Sequence, residues 1–220
     1  MKIMIFGASG MVGQGVLREC LLDTSIDKVL SVGRSASGST HAKLSDVVLA
    51  DITRLDSIAD ALRGYDACFF CLGVSSAGMT EERYTALTYD LTLAVARALA
   101  AINPAMRFIY ITGAGTDSSE QGRSMWARVK GRTENALLAL PFKSAHMLRP
   151  AIIQPMHGIR SKTALYRLAY VLLAPIMPLF KRVFPGYFTT SEQVGRVMIR
   201  LARDGHPKRI LETDDINALR

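Results

Sequence analysis

The 220-residue sequence predicts an α/β fold, a doubly wound parallel sheet carrying a small C-terminal cap. Three observations carry that expectation. Short β-rich runs alternate with helical patterns from the first residue onward. Hydrophobic residues make up 49% and charged residues 21% of the chain, ordinary globular usage that argues against disorder and against a disulfide scaffold. The length suits one α/β domain with a full core, so residues 1–220 read as a single domain in which 151–187 form a substrate cap.

The elements follow in order. KIMIF is a first strand; its apolar run breaks at Gly7, too early for the core of a secretion signal. A helix from Gly10 to Leu22, the strands KVLSVG and DVVLA, and a short helix over Leu55–Leu62 come next. DACFFCL, RFIYIT and SAHMLRP are further strands. Between the first two lies the most regular helix, capped at Thr80, with Glu81 and Glu82 complementing its dipole and Pro104 ending it. Its buried stripe is expected at Tyr84, Leu87, Leu91, Val95, Ala98 and Ile102. Beyond Pro150 the alternation loosens into the cap. Thr190 and Gln193 then form a capping-box start for a helix to Arg203, and KRILET supplies a last strand. The apolar stretch Leu168–Phe180 is interrupted by Pro175 and Pro178, so no membrane-spanning helix is expected.

The segment Gly7-Ala8-Ser9-Gly10-Met11-Val12-Gly13 lies directly after the first strand and opens a helix. Glycine lacks a Cβ, so the backbone there turns sharply and presents its N–H groups to a pyrophosphate at the positive end of the helix dipole. That context makes the segment a Rossmann-type dinucleotide loop, with Gly7, Ser9, Gly10, Met11, Val12 and Gly13 against the cofactor. At the end of the second strand, where NAD-preferring folds place an acid for the ribose hydroxyls, stand Gly33 and Arg34. A guanidinium attracts the 2′-phosphate, so the expected cofactor is NADP(H) ahead of NAD(H).

With GASGMVG, VGR, Asp51-Ile52, CLGV, ITGAG, WARVKG and LRPAIIQP in place, nearly the whole chain resembles the short-chain dehydrogenase/reductase superfamily. It is similar to the atypical branch of Tat-interacting-protein-like oxidoreductases and bacterial NAD(P)-dependent epimerase/dehydratase proteins. The resemblance implies that Asp51 and Ile52 flank the adenine and that Gly73 lets the backbone approach the ribose. It also implies that Thr112 touches the cofactor and that Pro150, Ala151 and Ile152 line the nicotinamide. It further implies a lysine, here Lys130, that holds the nicotinamide ribose, with a proton-transferring tyrosine four residues before it. That position is Trp126. An indole donates a hydrogen bond but does not ionise near neutral pH, so it does not replace a phenol. Ser118 is the first alternative proton donor, ahead of Ser119, Ser124, His157, Tyr84 and Tyr89.

Other chemistry is excluded or left open. Cys20, Cys68 and Cys71 are an odd set that suits reduced thiols and a cytoplasmic protein, and the Cys68/Cys71 pair sits on a strand, where residues three apart face opposite ways. The four histidines show no metal-ligand spacing. Residues 123–182 hold eleven Lys/Arg against the single acid Glu134, a +10 segment within a chain of +8. Such a segment suits cofactor phosphates, an anionic small-molecule substrate or an acidic lipid surface, the last with Tyr166, Tyr170, Leu172, Leu173, Ile176 and Phe180 as its apolar part. No specific nucleic-acid motif is present, and an oligomer is compatible with the sequence. Two functions stay open: an NADP(H)-dependent oxidoreductase or epimerase on a small carbonyl or sugar-like substrate with a non-standard proton donor, and a non-catalytic NADP(H) sensor or scaffold.

Overall fold

A computed structural model describes residues 1–159 and 185–219. Seven strands form one parallel sheet: β1 (Lys2–Phe6), β2 (Lys28–Gly33), β3 (Leu44–Val48), β4 (Ala67–Phe70), β5 (Arg107–Ile111), β6 (Ser144–Arg149) and β9 (Ile210–Glu212), in the order β3-β2-β1-β4-β5-β6-β9. The order reverses between β1 and β4, which opens a crevice at the carboxyl ends of those strands. This is the Rossmann-like α/β architecture the alternation predicts. A second, two-stranded parallel sheet joins β7 (Ile152–Gln154) to β8 (Phe188–Thr190). These strands lie at the two ends of the expected cap, whose residues 160–184 are outside the described residues. The aromatic and basic surface expected at Tyr166–Phe180 falls there too.

Strand alternation divides the core. Ile3 and Ile5 of β1 point to one face, against Val16, Leu17 and Cys20 of α1 (Met11–Leu22) and Val194, Val197 and Met198 of α5 (Ser191–Asp204). Met4 and Phe6 point to the other, against Leu93, Val95 and Leu99 of α3 (Leu91–Ile102) and Leu137 of α4 (Met125–Leu138). Cys68 packs in the second cluster and Cys71 against the first, so the two thiols do face opposite sides, and all three cysteines are free.

Several expectations are corrected. The short helix at Leu55–Leu62 is a 3₁₀ segment, DVVLA pairs two residues earlier as Leu44–Val48, and a further helix, α6 (Thr213–Ala218), follows β9. Thr190 caps α5 by accepting from the Gln193 N–H at 3.0 Å, but the Gln193 amide turns away to the carbonyls of Ile216 and Leu219, so the capping box is half made. The Thr80 cap holds, and α2 (Glu81–Thr85) starts there. A π turn at Ala86–Asp90 then rotates the helix, so that Tyr84 and Thr88 are buried and Leu87 is 39% exposed, with Leu93, Val95, Ala96 and Leu99 forming the inner face beyond. By length and composition the run Glu81–Ile102 would reach across a membrane, which the sequence pattern predicts of no helix; here its buried residues pack on the sheet.

Candidate functional site

The cleft of about 770 Å³ at the sheet's switch point begins at the glycine turn. Gly7 adopts φ +86°, a left-handed conformation that a side chain resists, and its carbonyl accepts from the Gly10 N–H at 3.0 Å. A Cβ on Gly13 would stand 2.0 Å from the Gly7 oxygen, so only glycine lets α1 pack this close beneath β1. Gly13 supports the turn from below, while Gly7, Ser9, Gly10, Met11 and Val12 line the cleft. The first turn of α1 carries no acid, and Gly10 makes no side-chain cap. The opening amides of α1 therefore keep the donors and the positive dipole end that an anion requires.

Along β2 the wall continues through Gly33, Arg34 and Ser35. Arg34 is exposed at the rim. Among the described residues that line the cleft there is no Asp or Glu. Asp51 and Ile52, expected beside the adenine, do not line it: the Asp51 carboxylate accepts from the Thr53 N–H and hydroxyl at 2.9 and 2.7 Å, and Ile52 is buried. Those bonds close a local turn and hold the Asp51 carboxyl below its usual range. Gly73 lines the cleft where a Cβ would meet nothing within 4 Å, so the space there is open. Pro150 and Ala151 line the wall as expected, but Ile152 is exposed outside it and Ile153 takes the inner place, because successive residues of β7 face opposite ways.

The far end of the cleft is built by α4. Trp126 and Lys130, one turn apart, both line it. The indole lies over Gly115, where a Cβ would meet the ring at 3.4 Å. The Lys130 ammonium donates to the Thr112 carbonyl at 2.7 Å, and burial pushes its pKa down to about 8, against a smaller upward pull from Glu134. Ser118 lies outside the cleft lining; its hydroxyl accepts from Arg149 at 2.6 Å. Ser119 is turned to Asp117, His157 is paired with Glu192, Tyr84 is buried, and the Tyr89 ring lies under the Arg132 guanidinium. Cys71 also lines the cleft, with its thiol pushed up to about 12 by burial. Sequence reasoning missed the fully buried Glu134 and its partner Arg149. The signal was available: Glu134 is the only acid in the basic segment, one helical turn beyond Lys130.

These residues fit a nicotinamide dinucleotide: a glycine turn with free helix amides for the pyrophosphate, open space at Gly73, and described lining residues without a carboxylate. A family model described as NAD(P)H-binding matches residues 7–146. The chain is 28% identical over 229 residues to "Protein FMP52, mitochondrial" of Eremothecium gossypii, covering 100% of this chain and 97% of that protein. It is also 28% identical over 154 residues to "Protein HTATIP2" of Rattus norvegicus, covering 69% of this chain and 62% of that one. Among solved structures, WbmF of Bordetella bronchiseptica in complex with NAD+ superposes with a TM-score of 0.68 at 17% identity, over 96% of this chain and 72% of that one. A short chain dehydrogenase family protein of Francisella tularensis gives 0.68 at 12% identity, over 96% of each. The FMP52 relatives are named mitochondrial, which corrects the cytoplasmic expectation. Fold, cleft and family model agree: the chain belongs to the NAD(P)H-binding family and folds as the Rossmann-like dinucleotide-binding structures do.

Proposed function

We propose that this protein is an NADP(H)-dependent oxidoreductase or epimerase-like enzyme of small carbonyl or sugar-like substrates, with Lys130 as the proton donor in place of the missing phenol. The observation that carries the reading is the sharing of one cleft by the glycine turn, Arg34 and Lys130. NADP(H) over NAD(H) is supported by Arg34 at the rim and by the lack, among the described lining residues, of a carboxylate that would repel a 2′-phosphate. A sugar-like substrate is supported by the structural neighbours, which include WbmF with NAD+ and UDP and MoeE5 with UDP-glucose and NAD.

When bound, the cofactor supplies the hydride. The protein's own part is binding and proton transfer. The turn at Gly7–Gly13 and the α1 amides hold the pyrophosphate, and Arg34 holds the 2′-phosphate. Lys130 keeps a proton on Nζ, fixed by the Thr112 carbonyl, at a pKa of about 8 that allows both release and recapture near neutrality. Among the described residues that line the cleft, the Cys71 thiol is unsuited to proton transfer, because burial pushes its pKa up to about 12. Trp126 supplies an indole wall and a donor without an ionising proton.

Fluorescence titration with NADPH and NADH tests the cofactor. Arg34→Ala is expected to weaken NADPH by about 10- to 100-fold and leave NADH unchanged, the loss of one or two charge-assisted hydrogen bonds; an unchanged NADPH preference overturns the assignment. Loss of nicotinamide absorbance across a panel of aldehydes, ketones and nucleotide sugars tests turnover. A second reading, a non-catalytic NADP(H) sensor or scaffold, is favoured by Trp126 itself. Tight NADPH binding with no oxidation across the panel, in wild type and in Trp126→Tyr alike, would select it.

A further inference from the structure

Under the cleft's far end lies a carboxylate with no exposure to solvent. Glu134 is 0% exposed, and a buried carboxylate costs several kcal/mol unless it is paired and hydrogen-bonded. It is saturated. Arg149 Nε donates to both of its oxygens at 3.1 Å, Arg149 Nη2 donates to Oε2, and the Thr112 hydroxyl donates to Oε1 at 2.6 Å. Arg149 also donates to Ser118 Oγ at 2.6 Å and to Glu212 Oε1 at 3.2 Å. One ion pair therefore ties α4, the residue after β5, the ends of β6 and β9, and the loop carrying Ser118.

Two facts set this pair apart from ordinary packing. Apolar residues of similar volume usually stabilise a core as well as a buried ion pair does, so burial alone does not account for it. And the side chain it grips belongs to Thr112, whose carbonyl holds the Lys130 ammonium at 2.7 Å. Pro150, next to Arg149, lines the same cleft. We infer that the Glu134–Arg149 pair is a positioning device: it clamps Thr112 so that the Thr112 carbonyl presents Lys130 to the cleft. Neither Glu134 nor Arg149 is among the residues that line the cleft, so they act through Thr112 and Lys130, which do line it. The charge on Glu134 also supports the ammonium, as the charged group acting on Lys130 from within α4. Arg34, the charged group lining the opposite wall, stands at the end of β2, three strands away from β5.

The inference rests on the reading of Lys130 as the working group of the cleft, and its test is independent of turnover. In the full-length protein, trace acetylation of Lys130 as a function of pH, read by mass spectrometry of its peptide, gives the midpoint of the amine. Glu134→Gln, which keeps an acceptor for Thr112 and removes the charge, is expected to lower that midpoint. The double variant Glu134→Leu/Arg149→Met is expected to keep its thermal midpoint within a few degrees while NADPH affinity falls about tenfold. Thr112→Val removes the hydroxyl from both Glu134 and the Leu148 carbonyl, which stands 3.1 Å from it, and leaves the ion pair, so it reports even if the double variant does not fold; the same loss of affinity and a lowered Lys130 midpoint are expected. Wild-type labelling midpoints in both Glu134→Gln and Thr112→Val would overturn the clamp. If wild type fails to bind NADPH, the cofactor reading falls while the labelling midpoints still judge the clamp.

Discussion

Lys130 carries its charge in a site that resists it. Burial draws the folded amine down to about 8, whereas the unfolded chain keeps the ordinary lysine value near 10.4. Between those values the unfolded chain binds more protons than the folded one, so stability rises with pH across that window, and below about pH 8 the full cost of the buried ammonium is present. Lys130→Met is therefore expected to be more stable than wild type near neutral pH, on the order of 1–3 kcal/mol, with the difference shrinking as pH climbs toward about 10. Urea unfolding at the two pH values measures this, and a constant difference would count against a buried charge. A stabilised variant with weakened NADPH binding would be the pattern of a residue kept for function at a cost in stability.

The helical run from Glu81 to Ile102 shows how a single extra residue in a turn redirects a face. A strict 3.6-residue period put Leu87 inside, and the π turn at Ala86–Asp90 turned it outward and gave its place to Thr88. Leu87→Gln is accordingly expected to cost no more than about 0.5 kcal/mol, while Leu99→Ala in the inner face costs about 2–5 kcal/mol. Equal losses in chemical denaturation would restore the unbroken stripe. The same element-level view explains the WARVKG segment. Trp126 and Lys130 reach the cleft from one side of α4, and Gly131 sits where a Cβ would fall 1.7 Å from the Asp117 carbonyl, so glycine lets the loop after β5 lie against the helix. The motif was readable as a string; its reason is a contact between segments more than ten residues apart.

Across the whole molecule, acid is expected to weaken the fold through β6. His146 is fully buried, its Nε2–H donates to the His206 carbonyl at 3.0 Å, and its Nδ1 has no partner among the described residues. Burial holds its pKa below the ordinary histidine value. The unfolded chain then binds more protons below about pH 6.5, so stability falls as pH drops through that value. In His146→Gln the acid limb of a stability–pH curve is expected to flatten below about pH 6.5; an unchanged limb would assign acid sensitivity elsewhere.

What was legible from the chain was whatever depends on neighbours in sequence. The strands, the glycine turn, the Thr80 and Thr190 caps and the placement of Lys130 and Trp126 on one helix follow from local spacing and backbone chemistry. So does the opposition of Cys68 and Cys71, a matter of strand period alone. Residues whose roles depend on distant partners were misplaced or missed. Ser118 looked like a free hydroxyl until Arg149 came to it from 31 residues away, Asp51 spent its carboxylate on its own turn, and Ile152 exchanged places with Ile153 when β7 paired with β8. The glycine turn and the family of cofactor could be read in sequence because they are encoded within a few residues. The burial that lowers the Lys130 pKa and the clamp of Glu134 on Arg149 and Thr112 were decided by the tertiary fold, because desolvation and ion pairing exist only once the strand ends and α4 have met.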